Sequence, residues 1–240
     1  MCRFFSCLVT KNDVLYDLNI DSHEDLIKKF NLHDNTTNPT FVRIECIPKD
    51  GNIFNHESTN WETRKDQDCI PDWFDIREVD KLVKKELKTV FKKLFVSKGS
   101  VKIDNGRLFV NGSASVIASG SASVKAYESA SVEAWGSASV KAYESASVEA
   151  WGSASVIACW SASVKAYESA SVKAYESASV EAWGSASVKA WGSASVKAYD
   201  SASVEAWGSA SVEAYGESNI IAFNKLVTLH ENAKMIDRTV

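Results

Sequence analysis

From Ser113 to Gly216 the chain repeats one eight-residue pattern thirteen times: Ser-Ala-Ser-Val-x-Ala-aromatic-Gly/Glu. Alternate positions read Ala, Val, Ala, and the positions between them read Ser, Ser, Lys/Glu, Tyr/Trp. Period two is the signature of a strand, because successive side chains point to opposite faces. The Ala-Val-Ala set must face inward, since the other choice would bury every Lys and Glu. Gly or Glu before Ser then marks a corner. No octad can bury its own Val alone, so copies must stack. Eight extended residues span about 26 Å at roughly 3.3 Å each, and a closed loop of that perimeter has no room for an inward Val. Two octads per coil, sixteen residues, give two short strands facing each other across an Ala/Val seam. The expected fold is therefore a β-solenoid, a β-roll or β-helix of octapeptide repeats. At about 4.8 Å per coil the thirteen octads make a rod some 30 Å long.

Weaker copies extend the pattern. Asn105 to Gly112 puts Leu108 and Val110 where Val and Ala belong, and Glu217 to Asn224 does the same with Ile220 and Ala222. Residues 225–240, with Leu226, Val227, Leu229, Met235 and Ile236, are expected to close the C-terminal end against edge-to-edge growth. An intertwined rival exists. Octads with a Val-x-Gly core resemble the triple-stranded β-helix in the needles of contractile phage tails, and here the pair is Val-x-Ala, as at Val116 and Ala118. Three chains would then share each layer in a trimeric spike or fibre. Alanine crowds a threefold axis, so the single-chain coil is preferred.

Residues 1–98 have ordinary complexity and hold all three prolines, with Gly99-Ser100 as a hinge to the solenoid of residues 99–240. They read as a small α+β capping or docking domain. Phe4 to Thr10 and Val14 to Leu18 form a hairpin about Asn12-Asp13. Ser22 caps a short helix carrying Leu26, Ile27 and Phe30 on one face. Phe41 to Ile47 is a strand that sets Phe, Arg and Glu against Val, Ile and Cys, and Asn60 to Thr63 begins another. Asp75 and Glu78 start a helix whose apolar face runs from Ile76 to Phe95. Its other face carries Arg77, Lys81, Lys84, Lys85, Lys88, Lys92 and Lys93, read as a solvated face.

With two octads per coil, position five makes two columns. One reads Lys125, Lys141, Ile157, Lys173, Lys189, Glu205. The other reads Ile117, Glu133, Glu149, Lys165, Glu181, Lys197, Glu213. One face is mostly basic and the other more acidic, which allows side-by-side association of copies. Position seven holds Tyr127, Trp135, Tyr143, Trp151, Tyr167, Tyr175, Trp183, Trp191, Tyr199, Trp207 and Tyr215, with Ser119 and Cys159 as exceptions. Parallel stacking turns these rings into ladders. They shield the thin core at the corners, and they are also the candidate binding surface for a protein, a polysaccharide or another copy. The Ser-x-Ser array resembles the hydroxyl lattice of solenoidal ice-binding proteins, which favour Thr.

Net charge is −4 with pI near 5.7, so no bulk pull toward nucleic acid or anionic membrane is expected. No apolar run approaches a membrane span, and no signal peptide precedes the first region, so a cytoplasmic location, or a virion if phage-encoded, is the expectation. Cys2, Cys7, Cys46, Cys69 and Cys159 are odd in number and scattered, which disfavours a disulfide framework or a zinc site. His23-Glu24-Asp25 reads as an exposed first turn. His33-Asp34 and His56-Glu57 sit in loops without metal-site spacing. Asp66, Asp68, Asp72 and Asp75 make a run that Pro71 and the helix start partly explain. No catalytic residue, cofactor or metal is assigned. MCRFF resembles the opening of class II glutamine amidotransferases, which implies Cys2 as a nucleophile using its own amine as base. The first region is short for that fold and lacks its companion segments.

Ser22 to Asp25, Pro71 to Trp73 and the octads from Ser113 together resemble uncharacterised bacterial and bacteriophage proteins that join a small N-terminal module to octapeptide repeats. That resemblance implies a module-plus-solenoid architecture and transfers no activity. The resulting expectation is a non-catalytic structural or binding protein.

Overall fold

In the first region, FSCLVT is buried along nearly its whole length because it is covered on both faces. This strand, β1 (Phe5–Thr10), lies inside an antiparallel sheet with β2 (Val14–Leu15), β3 (Phe41–Pro48) and β4 (Trp61–Lys65), in the order β2-β1-β3-β4. The computed structural model describes residues 5–35, 37–223 and 226–239. β1 and β3 pair from Phe5↔Cys46 to Thr10↔Phe41, so Leu8 and Phe41 share one face and Phe5, Cys7, Val9, Val42, Ile44 and Cys46 the other. β2 stops short of Leu18 because Asp17 turns the chain: its carbonyl accepts from Ile20 N–H at 3.2 Å and its carboxylate from Asn19 N–H at 2.7 Å.

The first face is covered by α1 (His23–Lys29), which contributes Leu26 to a cluster with Leu8 and Phe41. Ser22 caps it, accepting from Asp25 N–H. The second face belongs to α2 (Ile76–Leu94), capped by Asp75 and burying Val79, Val83, Leu87, Val90, Phe91 and Leu94. The Tyr16 hydroxyl donates to Glu86 at 3.2 Å, and the Trp61 ring lies 5.0 Å from Phe91. Both helices and all four strands were legible in the hydrophobic pattern.

His23 is not an exposed first-turn residue. It is 2% exposed, with Nδ1 3.1 Å from the Asp66 carboxylate and Nε2 3.1 Å from the Ile44 carbonyl. The first turn of α1 lies against β3, and the ring fills that contact, tying helix, strand and the segment after β4 together. Cys7 and Cys46 are buried, and burial pushes both thiols up, Cys46 to about 12, so they behave as core residues. Cys2 lies outside the described residues.

From residue 96 the chain forms a separate compact unit, a β-solenoid of sixteen residues per coil. Among the described residues two parallel sheets of nine and ten strands run side by side, each built from every second octad. Pairing is in phase: Ser131↔Ser147, Val132↔Val148, Glu133↔Glu149 and Ala134↔Ala150 in one sheet, Ser139↔Ser155 to Ala142↔Ala158 in the other. Octad valines are at most 2% exposed and octad alanines at most 1%. One chain closes each coil and buries its own Val and Ala, so the fold is the single-chain coil and not the intertwined one. The weak copy before the octads adds a rung in the predicted register, Leu108↔Val124 and Val110↔Ala126, and Ile220↔Val204 does so after them.

The last segment does not fold across the end. Val227–Leu229 and Lys234–Asp237 continue the two ladders, with Val212↔Val227 and Ile220↔Met235. Leu226, Leu229, Met235 and Ile236 stay about half exposed. The physical reason is register: this segment's alternation still matches the coil, so its lowest-cost backbone pairing is one more rung.

His56 stacks on Phe91 at 4.4 Å and 7°, and burial pushes its imidazole down from its ordinary value. The folded state thus favours the neutral ring, and the unfolded chain binds more protons below about pH 6.5. Stability from this ring is present above that pH and is lost as pH falls through it. Once divided by the intrinsic rates, which themselves fall with pH in this range, hydrogen exchange within residues 5–95 is expected to accelerate as pH falls from 7.5 to 5.5. His56→Phe should remove part of that acceleration. An unchanged pH dependence in the variant would count against the assignment.

Candidate functional site

Each octad spends positions three to six on a strand and positions seven to two on a corner. The corner closes with a backbone bond from the position-two N–H to the position-seven carbonyl, as from Ala138 to Trp135 at 3.2 Å. Position eight, the first central residue of this turn, has positive φ throughout the octads, from 54° at Gly120 to 69° at Gly152. At Gly120 glycine is required, because a Cβ there would lie 2.4 Å from the Asp104 carbonyl oxygen.

The corners with Glu or Asp at position eight accept the left-handed backbone for a reason invisible in one octad. Each carboxylate reaches back one coil and accepts the corner N–H found there. Gly112 donates to Glu128 at 2.9 Å, Glu128 to Glu144 at 3.0 Å, Gly152 to Glu168 at 3.0 Å and Gly184 to Asp200 at 3.0 Å. Glu231 does the same for Gly216. A left-handed non-glycine residue costs on the order of 1–2 kcal/mol, and a charge-assisted hydrogen bond contributes about as much in return. The Gly/Glu variation is thus a variation in how coils are latched.

The aromatic residues at position seven form two ladders, one along each edge. Trp135, Trp151, Tyr167, Trp183, Tyr199 and Tyr215 share the first, with centroids 3.9 to 5.2 Å apart and planes within 12°, and His230 extends it. Tyr127 and Tyr143 begin the second, and Tyr175, Trp191 and Trp207 continue it to Phe223. Burial pushes the Tyr127 phenol up to about 12. Within each continuous stack both faces of an interior ring are occupied by its neighbours. What the ladders present outward is ring edges, plus free faces where a stack begins or breaks.

The broad faces carry the two position-five columns in the expected order. The ten-stranded face aligns Lys125, Lys141, Ile157, Lys173, Lys189 and Glu205. The nine-stranded face mixes the two signs and pairs internally, Lys165 with Glu149 at 3.9 Å and Lys197 with Glu213 at 3.7 Å. Lys189 bonds Glu205 at 3.1 Å on the basic face.

The second ladder is interrupted in the octad Ser153 to Trp160. Cys159 takes the ring position, and the ring is displaced to the corner as Trp160. There φ is 58°, the ring is 50% exposed, and it meets Tyr143 tilted at 57° and 6.0 Å. Every other position-eight residue in the octads is Gly, Glu or Asp. This irregular coil was visible in the sequence as an exception, yet its consequence needed the coil length.

In the first region a cleft of about 300 Å³ is lined by Asp34, Asn35, Pro39, Phe41, Arg43, Gln67, Asp68 and Cys69. Arg43 pairs with Asp34, and no histidine lines the cleft beside Cys69. Among the described residues no group of three or more His, Cys, Asp or Glu is arranged to hold a metal ion. Asp75 serves as a helix cap and Asp66 as the partner of His23. Among the described residues no helix is long and apolar enough to cross a membrane.

Comparison with family models, with curated proteins and with solved structures finds no match to this chain.

An interior rung such as Trp183 stacks on two rings, whereas Trp135 stacks on one. At about 0.5–1.5 kcal/mol per aromatic pair beyond area burial, Trp183→Ala is expected to destabilise the solenoid by about 1–3 kcal/mol. Trp135→Ala should cost about half of that. Urea denaturation of the two variants checks the ratio, and equal losses would show that the ladders do not act as stacks.

Proposed function

We propose that this protein is a non-catalytic scaffold whose solenoid presents ladders of side chains at fixed pitch to a protein partner or to another copy of itself. The observation that carries this reading is the unbroken register of the octad strands. Every outward position repeats coil after coil at about 4.8 Å, so the faces are ordered lattices of Ser with Lys or Glu.

Association through the broad faces follows from their charge. The ten-stranded face sets four octad lysines against one glutamate, and the nine-stranded face four glutamates against two lysines. Apposed across two copies, these faces attract. The stacked rings fit a protein partner better than a polysaccharide, because sugars pack on ring faces and the interior faces are already covered.

Light scattering behind size exclusion is expected to show particles larger than the 26.3 kDa chain at about 20 mM salt, dispersing toward roughly 0.5 M as the Debye length shrinks well below 10 Å. Lys141→Glu with Lys173→Glu should abolish the low-salt species. A mass that ignores both salt and these substitutions would remove face-to-face association from the reading.

A further inference from the structure

The irregular coil differs from its neighbours at three positions that end up together. Ile157 lies on the basic face, where it pairs directly with Lys141 on one side and Lys173 on the other. Both lysines are exposed, and among the described residues neither has an ion-pair partner. Cys159, at the edge of the same coil, leaves the second ladder without a ring at that level. The rings that do stack on the flanking coils, Tyr143 and Tyr175, are therefore two coils apart, about 9.6 Å at the usual spacing. That is the separation a single flat ring would bridge. Trp160 does not bridge it: its ring stands tilted against Tyr143 and half in solvent.

The fold does not ask for this arrangement. Every other octad corner is satisfied by Gly, Glu or Asp, and a Trp at φ 58° is a conformational outlier with an exposed ring. An outlier of this kind, kept where simpler residues serve, points to use. The charges around it give it direction. On the corner side, Glu176 bonds Trp160 N–H at 2.8 Å and Glu144 occupies the corner one coil away. On the sheet side stand Lys141 and Lys173. A bound group would turn its ring toward the edge and its acid toward the sheet.

We infer that the octad from Ser153 to Trp160 is a recognition site for an aromatic side chain flanked by carboxylates on a partner protein. The ring enters the ladder between Tyr143 and Tyr175, Trp160 closes over its outer side, and Lys141 and Lys173 take the acid groups. Small-molecule sites are concave and enclose their ligand. This one lies open on a convex edge, where a ligand gains enough contact only as part of a larger surface, with the ring as its anchor. The inference goes beyond the scaffold reading and does not depend on rods associating with one another.

The test uses the full chain, labelled with nitrogen-15, in about 0.15 M salt, where charges beyond about 8 Å are screened. The probe is a blocked pentapeptide with one tryptophan between two pairs of glutamates. A matching peptide with lysines in place of the glutamates is the control. Saturable amide shifts centred on residues 157–160 and reaching 141–145 and 173–177 are expected with the acidic peptide. About tenfold weaker binding is expected with the basic one. The variant Ile157→Lys, Cys159→Tyr, Trp160→Glu rebuilds the sequence that other coils already fold with. It should stay folded and lose at least about tenfold in affinity. Shifts that are absent, spread along both ladders, or unchanged in that variant would overturn the site. If 8-anilinonaphthalene-1-sulfonate binds there and the peptide does not, the site takes a small aromatic acid and the assignment to a partner protein fails.

Discussion

Everything in the solenoid depends on one constraint, that the strands of successive coils stay in phase: sixteen residues separate partners throughout the octads, and fifteen at the end rungs, as at Ser100↔Ser115 and Val212↔Val227. With sixteen residues per coil, valine lies beside valine and alanine beside alanine, and inter-coil backbone bonds run past the strand ends. Ser131 N–H donates to Ala114 and Trp135 N–H to Ala118, each seventeen residues back. The core is thin, since Ala and Val bury little area per residue, and parallel backbone pairing carries a correspondingly large share of the cohesion. A one-residue slip would turn every Val outward and every Lys inward. The fold therefore tolerates variation only where the side chain points out, and there it varies freely between Lys, Glu and Ile.

The same constraint explains why the corners are chemically active in holding the coils together. A tight turn at every eighth residue forces a left-handed backbone, and glycine meets that demand at no steric cost. Where Glu or Asp stands instead, the carboxylate takes the corner N–H of the coil behind it, so a strained residue becomes a link between coils. Because the link joins residues sixteen apart, it stays hidden until the coil length is known. The sequence pattern shows that position eight is a corner. It does not show that Gly and Glu there differ in function.

Legibility follows the range of the interaction. The octad strands, the inward Val and Ala, the two charge columns and the ring ladders all follow from period two and a coil of two octads. In the first region the strands and helices were readable for the same reason, as at β3, where Val, Ile and Cys alternate against Arg and Glu. His23 was not readable. Its burial depends on a carbonyl at Ile44 and a carboxylate at Asp66, forty-three residues away, brought together by a sheet whose strand order the local pattern does not encode. The segment from Leu226 illustrates the opposite error. Its apolar residues suggested a cover, but their alternation matches the coil, and register prevailed over coverage.

A ladder of stacked rings changes what aromatic residues can do for binding. An isolated exposed Trp offers two faces to a ligand, whereas one inside a stack offers only its rim. The eleven Tyr and Trp residues at position seven of the octads therefore supply fewer aromatic surfaces than their number implies, and the useful ones are concentrated where periodicity fails. Ile157, Cys159 and Trp160 break the column of charge, the column of rings and the corner rule within four residues. In a repeat protein the regular copies set the geometry, and the irregular copy is where geometry and chemistry can single out one partner. That is the reason to look for recognition at the one octad that departs from all three rules at once, and not along the length of the rod.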